Sequence, residues 1–510
     1  MKEKNKGITL IALIITIIVM LILVGVSVSI LINSNLIGAA EKTATAYEEA
    51  RRKEANSEGI TINGKTLDEY ISVDWEEAKV KVANAPDISG FNKSNTYYVS
   101  WDLTSSPYQI NEETNLNGVS PNNWYDYTAG VNHYANIKTT GGGNDCYWVW
   151  IPRYAYCITE GYHSDKAGTI DIKFLQGTTN TPIDGSNIKI NNSSGPGNWN
   201  VHPAFWWDKD NDGVEDEGEQ LTGIWVAKYE ASSNASNVVE NPTPEQLAID
   251  GGSKKDTDLK VRVKPNVTSW RGITVNNIFT VCRNLTETGN SLENTSNLNS
   301  HMMKNIEWGA VAYLSRSVYG INSEVWNNPY YNNDTDHSPI TGLCGNETNG
   351  KDGYTTNMNN TVKYNEKGGG NASTTGNVYG IYDMAGGAWE DVAGIYTGGA
   401  SNGNRSKLWD SNNLKYVDKY TNTTGSQRTY YGNTDKYGDA VYETSSSGGS
   451  YSRSWDSSYS YFPGSRQPVF SRGGPAYNGS GAGVFAFINY GEGDGHNGCS
   501  FRPVVLSSQP

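Results

Sequence analysis

Hydrophobic and polar positions divide the chain into three unlike stretches. From Ile8 to Ile32 runs ITLIALIITIIVMLILVGVSVSILI, uncharged and long enough to span a bilayer as a helix. Lys2, Lys4 and Lys6 precede it and a large polar chain follows, an arrangement that puts the N-terminus inside and the bulk outside. The next segment, EKTATAYEEARRKEA, is amphipathic and rich in helix formers, so the predicted helix continues to about residue 58. GITINGKTL then reads as a short hairpin around Asn63-Gly64, followed by a helical piece and a loop. From Tyr97 onward short aromatic strands alternate with long polar loops. The clearest strands are 147–153, YWVWIPR, and 224–230, IWVAKYE. The best helix is 302–320, with Ile306, Ala310, Tyr313 and Leu314 on one face. Residues 283–300, 327–375 and 400–447 show almost no periodicity, and so much loop points to function or surface decoration.

This partition predicts a leader (1–7), a membrane helix (8–58), a connecting region with short strands (59–144) and a main domain (145–510). Composition narrows the class. A formal net charge of −14 argues against nucleic acid as a partner, since no basic patch could offset that field. Only 18% of residues are charged, whereas Gly (56), Tyr (33) and Trp (15) are abundant, as in extracellular, loop-rich proteins. The five cysteines are widely spaced and odd in number, with no zinc spacing. Cys146 and Cys157 could pair across neighbouring strands; buried free thiols are the preferred reading.

No small-residue cleavage site directly follows the apolar run, so a cleaved signal peptide fits less well than an anchor. Lys6-Gly7 followed by Ile8-Thr9-Leu10-Ile11 and a long apolar helix resembles the type IV pilin and pseudopilin family. The resemblance implies cleavage by a prepilin peptidase between Gly7 and Ile8, methylation of Ile8, and other pilins as partners. The family's glutamate at the fifth mature position is replaced by Ala12, which argues against routine filament insertion and for a minor or tethered subunit.

Several later segments, in order, resemble the formylglycine-generating-enzyme family, whose fold is a variant of the C-type lectin fold. They are WVWIPRYAYCI, GIWVAKYEAS, IEWGAVAYLSRSVYG, NVYGIYDMAGGAWEDVAG and the closing RGG and SFRPV elements. The family's copper-binding cysteines would fall at Asn478 and Gly483, or at Arg453 and Ser458 by the alternative alignment, and none is a thiolate. The six histidines form no cluster suited to iron. Neither copper nor iron is expected, and the family's catalysis looks lost.

Calcium is a separate question. The same resemblance implies a structural site from the side chains of Asp383 and Glu390 and the carbonyls of Gly386 and Ala388, all hard oxygen donors. A turn with an incidental acidic pair is the alternative. In DKDNDGVEDEGE, Asp208, Asp210, Asp212, the Val214 carbonyl, Asp216 and Glu219 take positions 1, 3, 5, 7, 9 and 12 of an EF-hand-type loop. A solvated acidic hairpin tip explains that segment equally well.

Near the C-terminus, Arg472-Gly473-Gly474, Ala482-Gly483-Val484-Phe485 and Phe501-Arg502-Pro503 resemble the scaffold of diversity-generating retroelement variable proteins. Within 451–502 the resemblance implies exposed, diversified positions at Trp455, Asp456, Tyr459, Pro475, Tyr477, Asn478, Ile488, Asn489, Tyr490, Glu492, Asp494, His496 and Asn497. The physical logic is independent of the family. Tyr and Trp supply contact area at low entropy cost, while Ser, Gly and Asn supply adaptable hydrogen bonds. A merely polar, Gly-rich loop set is the bland alternative.

Together these readings predict an α+β protein with an N-terminal transmembrane or pilin helix. A loop-rich, C-type-lectin-like (formylglycine-generating-enzyme-like) domain of short strands and few helices follows it. The expected location is the cell membrane, single-pass, with the bulk outside or in a pseudopilus. The expected role is ligand binding, as an adhesin or receptor, toward a phage, glycan or cell-surface protein. The rivals are a sulfatase-modifying enzyme homologue and a purely structural minor pseudopilin.

Overall fold

The computed structural model describes residues 61–62, 65–66 and 82–507, apart from 123, 214–215, 217, 235–258, 296, 332–338, 422–429, 431, 450–451 and 492. Contacts divide the chain into a unit ending at Val80 and a unit from Lys81 to Pro510. In the first, Thr61–Ile62 pairs antiparallel with Lys65–Thr66, flanking Asn63-Gly64 as the turn residues predict.

Two seven-stranded sheets build the second unit. The first runs Leu298–Met302, Pro503–Ser507, Gly223–Ala227, Cys146–Pro152, Asn136–Thr139, Thr96–Asp102, Gln109–Asn111, and every neighbouring pair is antiparallel. Three of these strands come from the stretch read as a connecting region, so residues 96–139 belong to the same sheet as 146–152. Cys146–Pro152 and Gly223–Ala227 are buried at every position, which is why both read as continuous apolar runs without alternation. The second sheet runs Asp418–Tyr420, Trp389–Tyr396, Val469–Gly473, Gly483–Gly491, Tyr459–Ser460, Ser452–Arg453, with Cys499–Ser500 alongside Trp389–Tyr396. The C-terminal stretch therefore passes from one sheet to the other at Phe501-Arg502.

Among the described residues there are two α-helices, Val275–Arg283 and Asn305–Ser315. The second is shorter than the 302–320 pattern. Met302 closes a strand paired with Pro503, and the Lys304 N–H donates to Glu307 Oε2 at 2.8 Å, which starts the helix there. It is buried nearly all round, so no single face carries its apolar residues. The aperiodic stretches owe their order to side-chain-capped turns. Asn346, Asn357, Asn402 and Asp410 each accept a backbone N–H two residues on.

The expected fold class and membrane placement need correction. Among the described residues no helix is long and apolar enough to cross a membrane. The 11 residues of Asn305–Ser315 reach about 16 Å, roughly half of a ~30 Å hydrocarbon core. What is described is strand and loop with two short helices. The stretch 8–58, on which the single-pass location rested, lies outside the described residues, as do Gly7 and Ile8.

One buried group makes stability depend on pH. Glu443 Oε2 accepts the Tyr156 hydroxyl (2.7 Å), the Tyr313 hydroxyl (2.9 Å) and the Gly438 N–H (2.8 Å). Its Oε1 is buried with no hydrogen-bond partner among the described residues. Burial, with help from Asp439, raises its pKa to about 7. A raised acid favours the folded state fully below its unfolded pKa, and that contribution fades as pH rises through the folded value. His202, lowered to about 3 by burial, acts in the opposite sense below pH 6.5, so the comparison must isolate Glu443. Between pH 5 and 8 the parent is expected to lose on the order of 2 kcal/mol relative to Glu443→Gln. Urea unfolding of both proteins at the two pH values reads this; parallel pH dependences would contradict it.

Candidate functional site

The closing framework is built from backbone geometry and one buried ion pair. Gly473 and Gly474 take φ of +85° and +82°, and a Cβ on Gly474 would lie 2.7 Å from Ala482 Cα. Arg502 is fully buried; its Nε and Nη2 grip the two oxygens of Glu390 at 3.0 and 2.6 Å. Its remaining N–H groups reach the carbonyls of Ala227 (2.7 Å) and Tyr382 (2.8 Å), so one side chain ties both sheets to the 382–390 segment.

From this framework two loops reach the surface, 475–482 and 493–498. Both are rooted on the Gly386–Trp389 turn: the Ala476 N–H donates to the Gly387 carbonyl (3.0 Å), and the Trp389 N–H donates to the Gly498 carbonyl (2.9 Å). The turn is held from beneath by Glu230, whose Oε1 accepts the Ala388 N–H at 2.8 Å. Burial first, then the nearby Asp383 charge, holds the Glu230 carboxyl well above the usual carboxylate range.

The expected ligand-contacting residues separate into three groups. Asp494, His496 and Asn497 are exposed, and Tyr477 and Asn478 are half-buried at the tip of the first loop. Tyr459 and Ile488 are half-buried too, lying on a small cluster of Trp389, Ala486 and Cys499, with the Arg453 guanidinium 4.3 Å over the Tyr459 ring. Trp455, Asn489 and Pro475 are buried, which corrects their expected exposure. Trp455 packs on Phe485 and donates from Nε1 to the Gly161 carbonyl (2.9 Å), so it is a core residue. Asp456, at φ +57°, pairs with Arg316 at 3.2 Å. Tyr490 sits in the Gly483–Gly491 strand, its side chain outside what is described, and Glu492 lies outside the described residues.

No protein-family model matches the chain, and no curated protein matches it. The site therefore has to be read from its own residues.

Sequence reasoning missed the supports of these loops. Buried Arg271 donates to the Asn497 carbonyl (2.8 Å), and the Gly272 N–H donates to the His496 carbonyl (3.1 Å). Asn404 Nδ2 donates to Asp494 Oδ1. On the other side, Asn327 Nδ2 donates to the Gly479 carbonyl (2.9 Å), bringing Asn327 against the first loop. None of these contacts has a local sequence signal, because each joins residues dozens to hundreds of positions apart.

The two acidic segments differ in what they can hold. Asp383 Oδ1 accepts Asn328 Nδ2 (2.8 Å) and the Gly342 N–H (2.9 Å), and Glu390 is engaged by Arg502. Ala388 gives its N–H to Glu230, and Gly386 bridges to Asn328. These carboxylates face N–H donors; the arrangement is a buried hydrogen-bonded cluster that braces the turn. In the other segment Asp208, Asp210 and Asp212 place carboxylate oxygens within 4.8 Å of one another, and among the described residues this is the group of three that could hold a metal ion. Glu219 closes the same loop by accepting from Trp206 Nε1 (2.9 Å) and from the N–H groups of Lys209 (2.6 Å) and Asp216 (3.0 Å). Val214 lies outside the described residues, and Asp216 is exposed.

Proposed function

We propose that this chain is a ligand-binding protein, of the adhesin or receptor kind, whose ligand rests on the loops 475–482 and 493–498. One observation carries the reading: two polar loops, one exposed at Asp494, His496 and Asn497 and one half-buried at Tyr477 and Asn478, are rooted on a single turn by a rigid buried framework. Such an arrangement lets surface side chains change without cost to folding, which suits recognition. A catalytic reading has no thiolate to rest on, since positions 453, 458, 478 and 483 hold Arg, Ser, Asn and Gly. The resemblance to retroelement variable proteins agrees with a diversified surface at Tyr477, Asn478, Asp494, His496 and Asn497.

The experiment screens the protein against glycan arrays and arrays of purified cell-surface proteins, then measures variants on each hit. Tyr477→Ala is expected to weaken binding about tenfold or more, as an aromatic anchor does. Alanine at Asn478, Asp494, His496 or Asn497 should cost less each, and no variant should shift stability by more than about 0.5 kcal/mol. Hits whose affinity ignores all five changes, or a Tyr477→Ala protein that melts early, would overturn the assignment.

A further inference from the structure

An aromatic cluster lies beside the first loop, contributed largely from outside the C-terminal segment. Tyr331 packs against Tyr354 (ring centroids 5.4 Å, 57°) and against Tyr477 (6.1 Å, 69°). Tyr354 is 53% exposed, one of the few large hydrophobic side chains so open to solvent among the described residues. The Tyr331 N–H to Thr355 carbonyl bond (3.1 Å) and the Asn327–Gly479 bond fix the cluster to the loop. Tyr331 meets Tyr477 edge to face and lies tilted against Tyr354. What they present is a raised aromatic patch with hydroxyls, the kind of surface that anchors protein interfaces.

The surrounding charge points to the partner's chemistry. Among the described residues of 324–354, Glu324, Glu347 and Asp352 stand against Lys351, a formal −2 in a chain of −14. Lys351 is itself occupied by Glu324 and lies 3.7 Å from Asp352. A field of that sign draws cationic surfaces in and turns anionic ones away.

We infer that Tyr331, Tyr354 and Tyr477 form the seat of a protein partner that presents basic side chains beside apolar ones. This rests on the reading of the 475–498 loops as a ligand surface, and adds both a partner class and two residues from a distant part of the chain. Aromatic faces take up the apolar groups and the alkyl stems of Lys or Arg, while Asp352 and its neighbours meet the charged heads.

The test pans a displayed library of random twelve-residue peptides on the full chain, then measures enriched peptides on the parent and on variants. Enriched sequences are expected to be rich in Arg, Lys and aromatics. Their binding should weaken about tenfold in Tyr354→Ala and in Tyr331→Ala, and should fall at 0.5 M salt. Val119→Ser, which changes an exposed apolar residue elsewhere, should leave it unaltered. Melting curves separate lost contact from lost fold; Tyr354→Phe supplies a milder variant. Neutral or acidic winners, no winners, or winners indifferent to Tyr331 and Tyr354 would each overturn the inference. If winners depend on Asp494, His496 and Asn497 but not on these tyrosines, the ligand-surface reading stands and the tyrosine seat falls. Dependence on neither set sinks both.

Discussion

Arg502→Ala is expected to lower the unfolding free energy by about 3–5 kcal/mol, the usual cost of leaving half of a buried ion pair behind. Arg502 and Glu390 are both fully buried, and the guanidinium also serves the Ala227 and Tyr382 carbonyls. Removing it strands the Glu390 carboxylate beside Asp383 and Glu230, in a buried site that already disfavours negative charge. The carboxylates must then take up protons or draw water into the join between the two sheets. Replacing both partners, Arg502→Met with Glu390→Leu, is expected to cost less than the single change, because no unpaired charge remains. Urea denaturation of the parent, the single variant and the pair settles it. A single variant within about 1 kcal/mol of the parent would show that the pair is dispensable.

Trp455→Ala is expected to cost about 3–5 kcal/mol and to leave any ligand's affinity, measured on the fraction still folded, essentially unchanged. The indole is fully buried, packs on Phe485, and donates to the Gly161 carbonyl. It also fills the space over Gly168, where an added Cβ would fall 2.1 Å from the ring. Truncation therefore removes a large apolar volume and orphans a carbonyl in one step. Trp455→Phe, which keeps most of the volume, should lose markedly less. A protein that tolerates Trp455→Ala but loses its ligand would restore this residue to the binding surface.

The two predictions mark where local pattern was a good guide and where it failed. Arg502, Gly473 and Gly474 stood out as framework through the resemblance to the retroelement variable-protein scaffold, and such a role needs a structural reason. Positive φ at both glycines and a carboxylate for the arginine supply it. Trp455 stood among Ser, Asp and Tyr, and polar neighbours made it look exposed. Its neighbours are turn formers: Asp456 and Ser457 both hold positive φ, which tucks the indole inward. Helix Val275–Arg283 was legible but missed, since Val275, Ile278, Phe279 and Cys282 keep helical spacing and Thr274 caps the Asn277 N–H. The opposite error came at 302–320, where strand residues and a closing turn were merged into one helix.

By itself the sequence determined the short aromatic strands, the Asn- and Gly-rich turns between them and the hairpin at Asn63-Gly64. These follow from local rules: side-chain period, turn preference and backbone freedom act over a few residues and leave their mark there. Only the tertiary structure decided that residues 96–139 join the first sheet, and that Trp455 and Asn489 face inward. It also decided that Glu219 joins the Asp208 loop to Trp206, and that Tyr331 and Tyr354 stand beside Tyr477. The physical reason is one of range. Periodicity says that a strand or loop has an apolar side, but burial and partnership depend on which distant surface that side meets. Arg271 with Asn497, and Arg502 with Ala227, are separated by 226 and 275 positions, and no local pattern spans such distances.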